Sequence, residues 1–196
     1  MSSPRFEHAV GFVLRASIEG GYSNNPRDRG GPTNRGISLR AVRQLDADKR
    51  LPAFLRAELD IDADGDIDGD DVPGWTRETA LKFYRLFYWD AIHGDLLPWP
   101  LALIVFDAAV NQGVDSAVRQ LQQLCRIPED GIVGSVTIAE AARLAGADDA
   151  QHEWAARRLI VARLARYRTL ADADVFFDGW AGRMLDLYVE VLKENA

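Results

Sequence analysis

The chain has 196 residues, 47% hydrophobic and 27% charged, with five Trp and sixteen Gly, proportions that exclude a disordered or fibrous protein and allow one sizeable core with at most a small appendage. A net charge of −7 argues against an electrostatic grip on nucleic acid or on an anionic membrane. The lone cysteine, Cys125, excludes an intrachain disulfide and a thiolate zinc site.

In chain order, Ser2 or Ser3 before Pro4 marks a helix start, and Phe6, Ala9, Val10, Val13, Leu14 and Ser17 recur at the spacing of one helical face. The helix is expected to stop at Gly20-Gly21, where glycine accepts the left-handed cap. GYSNNPRDRGGPTNRGI, residues 21–37, is too rich in Gly, Pro and Asn for a helix and predicts a small irregular β-hairpin. Ser38 caps a short helix through about Leu45, and Thr76 caps another carrying Ala80, Phe83, Tyr84, Phe87 and Tyr88. The stretch 101–110 is apolar nearly all round and predicts a buried spine helix. Further helices are expected at about 115–125, 135–145, 149–170 and 176–194. The fold class is mostly α (α+β), with a weak boundary near Gly113. MSSPRFEHAV has no signal-peptide pattern, and no run of about 18 apolar residues predicts a membrane span.

Glu19 falls where the first helix is expected to end. Unpaired carbonyls and the negative end of the helix dipole disfavour a second negative charge there, and its pKa is expected to rise if aromatics such as Tyr22 also shield it. A carboxylic acid kept protonated near neutrality is what donation to a glycosidic oxygen requires. Glycosidases generally place a second carboxylate across the scissile bond, and Asp28, nine residues on and across the hairpin, is the candidate. Thr33, on the returning arm, offers a hydroxyl to position water. The bland alternatives are a solvated helix-end charge for Glu19 and a turn residue for Asp28.

Residues 60–71, DIDADGDIDGDD, hold seven Asp and no base; without them the 30 acidic residues fall to 23, equal to the 23 basic ones. Asp60, Asp62, Asp64, Gly65, Ile67, Asp68 and Asp71 occupy positions 1, 3, 5, 6, 8, 9 and 12 of an EF-hand loop, with Asp66 offering its backbone carbonyl at position 7. A structural Ca2+ held by Asp60, Asp62, Asp64, Asp66 and Asp71 is expected. Asp71 stands where a longer Glu is usual, and Pro73 shortens any exiting helix. The alternative is a solvated acidic loop.

Sugar rings are gripped by aromatic faces and amides, which nominates Tyr22, Asn24, Asn25 and Asn34 near the carboxylates, and Asn111 and Gln112 at the end of the apolar helix. Capping or buried hydrogen bonding competes with this reading. Trp75, Trp89, Trp99, Trp154 and Trp180 are expected in the core, as is Cys125. His8, His93 and His152 lack metal-ligand spacing, and no serine or cysteine sits in a nucleophile motif.

EGGYSNNPRDRGGPTNRGIS, with YRLFYWD ending at Asp90 and FDAAVNQG from Phe106, resembles the blocks of glycoside hydrolase family 108, the N-acetylmuramidases of phage endolysins and bacterial relatives. The region 121–142, with LQQL and EDGIVGSVTIAEA, resembles the small helical peptidoglycan-binding segment that completes these enzymes. The resemblance implies a lysozyme-like fold; the hairpin is expected next to the active site, with the EF-hand-like loop inserted. It also implies a catalytic glutamate at Glu19 and cleavage of the β-1,4 bond between N-acetylmuramic acid and N-acetylglucosamine. The order Glu, Asp, Thr is similar to that of phage-type lysozymes, with the Glu-to-Thr interval one residue off. It divides the chain into a catalytic region, 1–113, and a binding segment, 114–196, packed as one globule. The expected partner is peptidoglycan, acted on by a monomer. The expected location is the periplasm or cell wall, reached from the cytoplasm without a signal peptide through a holin-like pore or a secretion system. A lytic transglycosylase giving 1,6-anhydro products and a non-catalytic cell-wall-binding module remain alternatives.

Overall fold

The computed structural model describes residues 3–15, 18–24, 31–146, 148–171 and 173–193. Most of them are helical, with one three-stranded antiparallel sheet, a lysozyme-like α+β fold. The chain divides into two compact units: Val13–Phe87 is one, and the segments through Phe12 and from Tyr88 form the other. This differs from a division at Gly113, because the helices on either side of that glycine, α5 (Leu101–Gln112) and α6 (Val114–Cys125), pack on each other within one unit.

In the Val13–Phe87 unit, three two-residue strands, β1 (Tyr22–Ser23), β2 (Thr33–Asn34) and β3 (Ile37–Ser38), pair in that order. Tyr22 faces Asn34 across the first ladder, and Asn34 faces Ile37 across the second. The single hairpin expected over 21–37 is thus two ladders sharing β2. Ser38 accepts from the Ala41 amide at 3.2 Å and starts α2 (Leu39–Ala47), and Thr76 accepts from Thr79 at 3.1 Å and starts α4 (Arg77–Tyr84). A π-helical turn, Arg85–Trp89, continues α4. Between these lies α3 (Ala53–Leu59), which the sequence reading leaves out because Pro52 caps it with no side-chain hydrogen bond. Leu55, Leu59, Val72, Trp75, Phe83 and Tyr84 are buried at the centre of this unit.

In the other unit, α1 (Pro4–Val13) belongs here but for its last residue, and Ser3 Oγ accepts from the Phe6 amide at 3.2 Å as its cap. Phe6, Trp89 and Phe106 meet edge to face with ring centroids 5.5–6.2 Å apart. α5 is the expected spine: every residue from Leu101 to Ala109 is buried. α6 and α8 (Asp149–Tyr167) pack on it, α7 (Ser135–Ala145) packs on α6 and α8, and α9 (Ala173–Lys193) packs on α8. Cys125 is buried, and desolvation pushes its thiol up to about 11, consistent with a core residue rather than a reactive one. Of the tryptophans expected in the core, Trp75 and Trp89 are there, whereas Trp99 and Trp180 are half-buried and Trp154 is exposed. No described helix is long and apolar enough to cross a membrane.

The spine carries one charge. Asp107, fully buried, accepts from Arg163 at 2.8 Å and from Arg183 at 2.9 Å, and Arg163 also donates to Tyr167, whose hydroxyl donates to Asn111. Removing one member of a buried ion pair strands the other, so Asp107→Asn is expected to cost about 3–5 kcal/mol. Urea unfolding monitored by circular dichroism checks this; a loss under ~1 kcal/mol would show that the arginines find other partners.

Candidate active site

Glu19 is not at a helix end. α1 stops at Val13, six residues before the end expected at Glu19, and the Glu19 amide donates to the carbonyls of Val13 and Arg15, both at 3.1 Å. The Gly20 amide donates to Arg15 at 3.0 Å. The bond to Val13 satisfies a carbonyl that the helix end leaves open.

What fixes the Glu19 side chain is the turn between β2 and β3. Arg35 and Gly36 both have positive φ, 52° and 73°, the signature of a type I′ hairpin turn. A Cβ on Gly36 would lie 2.8 Å from Glu19 Cβ, 3.1 Å from Glu19 Cγ and 2.3 Å from the Tyr84 hydroxyl. The glutamate stem therefore runs directly against the bare glycine. Tyr84, fully buried, donates to the Arg35 carbonyl at 2.8 Å and closes the turn from the other side. The Arg35 amide donates to Gly21 at 3.1 Å, so the second glycine after Glu19 is tied to the same turn.

Thr33 is half-buried and donates its hydroxyl to Gly31 at 3.1 Å. Tyr22 is 49% exposed on the edge strand, open to a ligand. Asn34, nominated for substrate contact, is buried and has a structural task. Its buried amide nitrogen donates to the carbonyls of Val72, Pro73 and Trp75, at 2.9, 3.3 and 3.4 Å, pinning the sheet to the 3-10 turn Val72–Gly74. Asp28 and Asn25 lie outside the described residues.

In the acidic loop, Asp60, Asp62 and Asp71 each bring a carboxylate oxygen within 4.8 Å of the others, and so do Asp66, Asp68 and Asp71. Asp64 joins neither trio; its oxygen accepts from the Asp66 amide at 3.0 Å. Asp66 thus offers a side chain where only its carbonyl was expected. Ile67 is buried as the loop's apolar anchor, and Gly65 takes φ +99° at the sharp turn. The Asp64 carboxylate beside Asp66 holds its carboxyl above the ordinary range. Arg43 and Arg56 cover the loop by donating to the Ile67 and Gly65 carbonyls at 2.7 Å each.

In the other unit, Asn111 and Gln112 line a cleft of about 190 Å³ with Arg166, Tyr167, Leu170 and Trp180. Trp180 stacks on Tyr167 with ring centroids 4.9 Å apart. Gln112 accepts from Gln120 at 2.7 Å, while its buried Nε2 has no hydrogen-bond partner among the described residues. Trp180 lines this cleft although residue type assigns every tryptophan to the core, and the sequence does not show Gly36 against Glu19 or Tyr84 on the Arg35 carbonyl because neither approach is local.

Gly36→Ala should lower both stability, by about 1–3 kcal/mol, and activity, whereas Gly31→Ala, also at positive φ but facing open space, should show the backbone strain alone. Melting and cell-wall lysis assays on the two variants check this; equal activities would mean that the Glu19 contact does not matter.

Residues 12–113, just over half of the chain, match the glycosyl hydrolase 108 family. Among solved structures, the chain is similar to Brucella abortus SagA, at 28% identity and a TM-score of 0.77, over 97% of this chain and 95% of that one. No curated protein matches. The chain belongs to the glycosyl hydrolase 108 family and is a glycosidase that acts on peptidoglycan.

Proposed function

We propose that the protein is an N-acetylmuramidase that cleaves the β-1,4 bond between N-acetylmuramic acid and N-acetylglucosamine, with Glu19 as general acid. The observation that carries this reading is the hold on Glu19: its backbone is tied to Val13 and Arg15, and its stem rests on Gly36. A proton donor must be presented to the bridging oxygen in one geometry, and a fixed stem reduces the freedom lost on reaching it.

In this mechanism Glu19 protonates the leaving oxygen as the sugar gains oxocarbenium character. Asp28 is the second carboxylate, stabilising that charge or activating water. With its hydroxyl proton given to Gly31, Thr33 keeps its oxygen as an acceptor for the attacking water. Tyr22 offers an exposed ring face to a sugar. In the helical unit, the Gln112 amide nitrogen and the Trp180 ring suit an acetamido group and the apolar face of a sugar, and Asn111 contributes at the same cleft. The segment 114–196 adds peptidoglycan affinity. The protein works as a monomer at the cell wall, where its substrate is.

Glu19→Gln should lower lysis of outer-membrane-stripped cells by at least about a hundredfold. Digestion of peptidoglycan in heavy-oxygen water should place one solvent oxygen at each new reducing end. Equal lysis by wild type and variant would remove Glu19 from the chemistry, while 1,6-anhydro products without solvent oxygen would make the protein a lytic transglycosylase.

A further inference from the structure

The acidic loop and the turn that holds Glu19 belong to the same compact unit, joined by a short series of hydrogen bonds. At the loop's start, Asp60 has a side chain only 10% exposed. Its Oδ2 accepts from the Gly65 amide at 3.2 Å and lies 3.8 Å from the Arg56 guanidinium. Its Oδ1 is buried and has no hydrogen-bond partner among the described residues. A buried carboxylate oxygen without a donor is costly, and a cation held among Asp60, Asp62 and Asp71, whose carboxylates each bring an oxygen within 4.8 Å of the others, would offset that cost. Three carboxylates converge there, and the loop follows the spacing that wraps calcium.

At the loop's end, Asp71 is 2% exposed and accepts from the amides of Ile61 and Asp68, at 2.6 and 2.7 Å, so one carboxylate clasps both halves of the loop. The next residues are Val72, Pro73 and Trp75, whose carbonyls receive the Asn34 amide; Trp75 also receives Arg35 Nε at 3.3 Å. The Trp75 indole donates to Leu59, immediately before Asp60, at 3.0 Å. Both ends of the loop are therefore tied together, and its exit grips the two residues that lead into Gly36.

We propose that residues 60–71 bind a calcium ion, and that the bound ion fixes the Arg35–Gly36 turn against which Glu19 rests. The ion takes no part in the chemistry. It offsets the repulsion among seven aspartates, keeps Asp71 in place, and through Val72–Trp75 and Asn34 sets the turn. The effect on catalysis rests on Glu19 being the acid; calcium binding and its effect on the turn do not.

The test uses the full chain. Calcium titrated into metal-stripped protein should release heat with saturation, raise Tm and slow amide exchange about tenfold at residues 33–38 as well as within 60–71. Lysis should be faster in calcium than in chelator. Asp62→Asn, at an exposed ligand, should weaken calcium binding while the fold persists. Asn34→Ala should still bind calcium but lose the added protection at 33–38. Glu19→Gln should abolish lysis yet keep both calcium binding and protection, and that result separates a failed catalytic assignment from a failed metal site. No binding at millimolar calcium would overturn the proposal. So would protection confined to 60–71, or Asn34→Ala behaving as wild type.

Discussion

The absence of one side chain governs the geometry around Glu19. Gly36 lets the glutamate stem and the Tyr84 hydroxyl approach the same stretch of backbone, closer than any residue with a Cβ permits. The type I′ turn makes this possible by putting Arg35 and Gly36 in the left-handed region, and Tyr84 secures it through the Arg35 carbonyl. Two-residue strands have little stability of their own, so the sheet depends on what grips it from outside: Tyr84 at the turn and the Asn34 amide behind it.

The family match and the compact units do not coincide. Residues 12–113 take in the whole of Val13–Phe87 and continue through α5, whose C-terminal amides reach a cleft of the helical unit. The matched region therefore includes both groups of polar residues singled out for carbohydrate chemistry, the Glu19 turn and the Asn111–Gln112 cleft. α6 to α9 lie beyond it, and of these α6 and α8 pack on the spine helix.

Features set by neighbours in sequence could be read directly. Ser3, Ser38 and Thr76 cap their helices because a hydroxyl needs only an amide three residues on. α5 was evident from unbroken apolar character. Where the reading failed, a distant group decided the matter. Leu14 and Ser17 prolong the pattern of α1, yet the backbone leaves the helix after Val13 to deliver Glu19 to the turn. Asn34 reads as a sugar ligand beside Glu19, and no local pattern shows that its amide nitrogen has acceptors 38–41 residues away. Trp180 was assigned to the core on its residue type, and only the folded chain brings it beside Asn111 and Gln112.

The polar row buried along α5 also constrains how the helical unit can vary. Asp107 and Asn111 are one turn apart on α5, and their partners Arg163 and Tyr167 are one turn apart on α8. The two helices therefore interlock like a key with two teeth, and sliding one past the other by a turn would leave a charge in apolar surroundings. Greasy contacts tolerate small slippage; this pairing does not. Insertions within either helix between those residues should be rejected, while lengthening beyond them should be harmless.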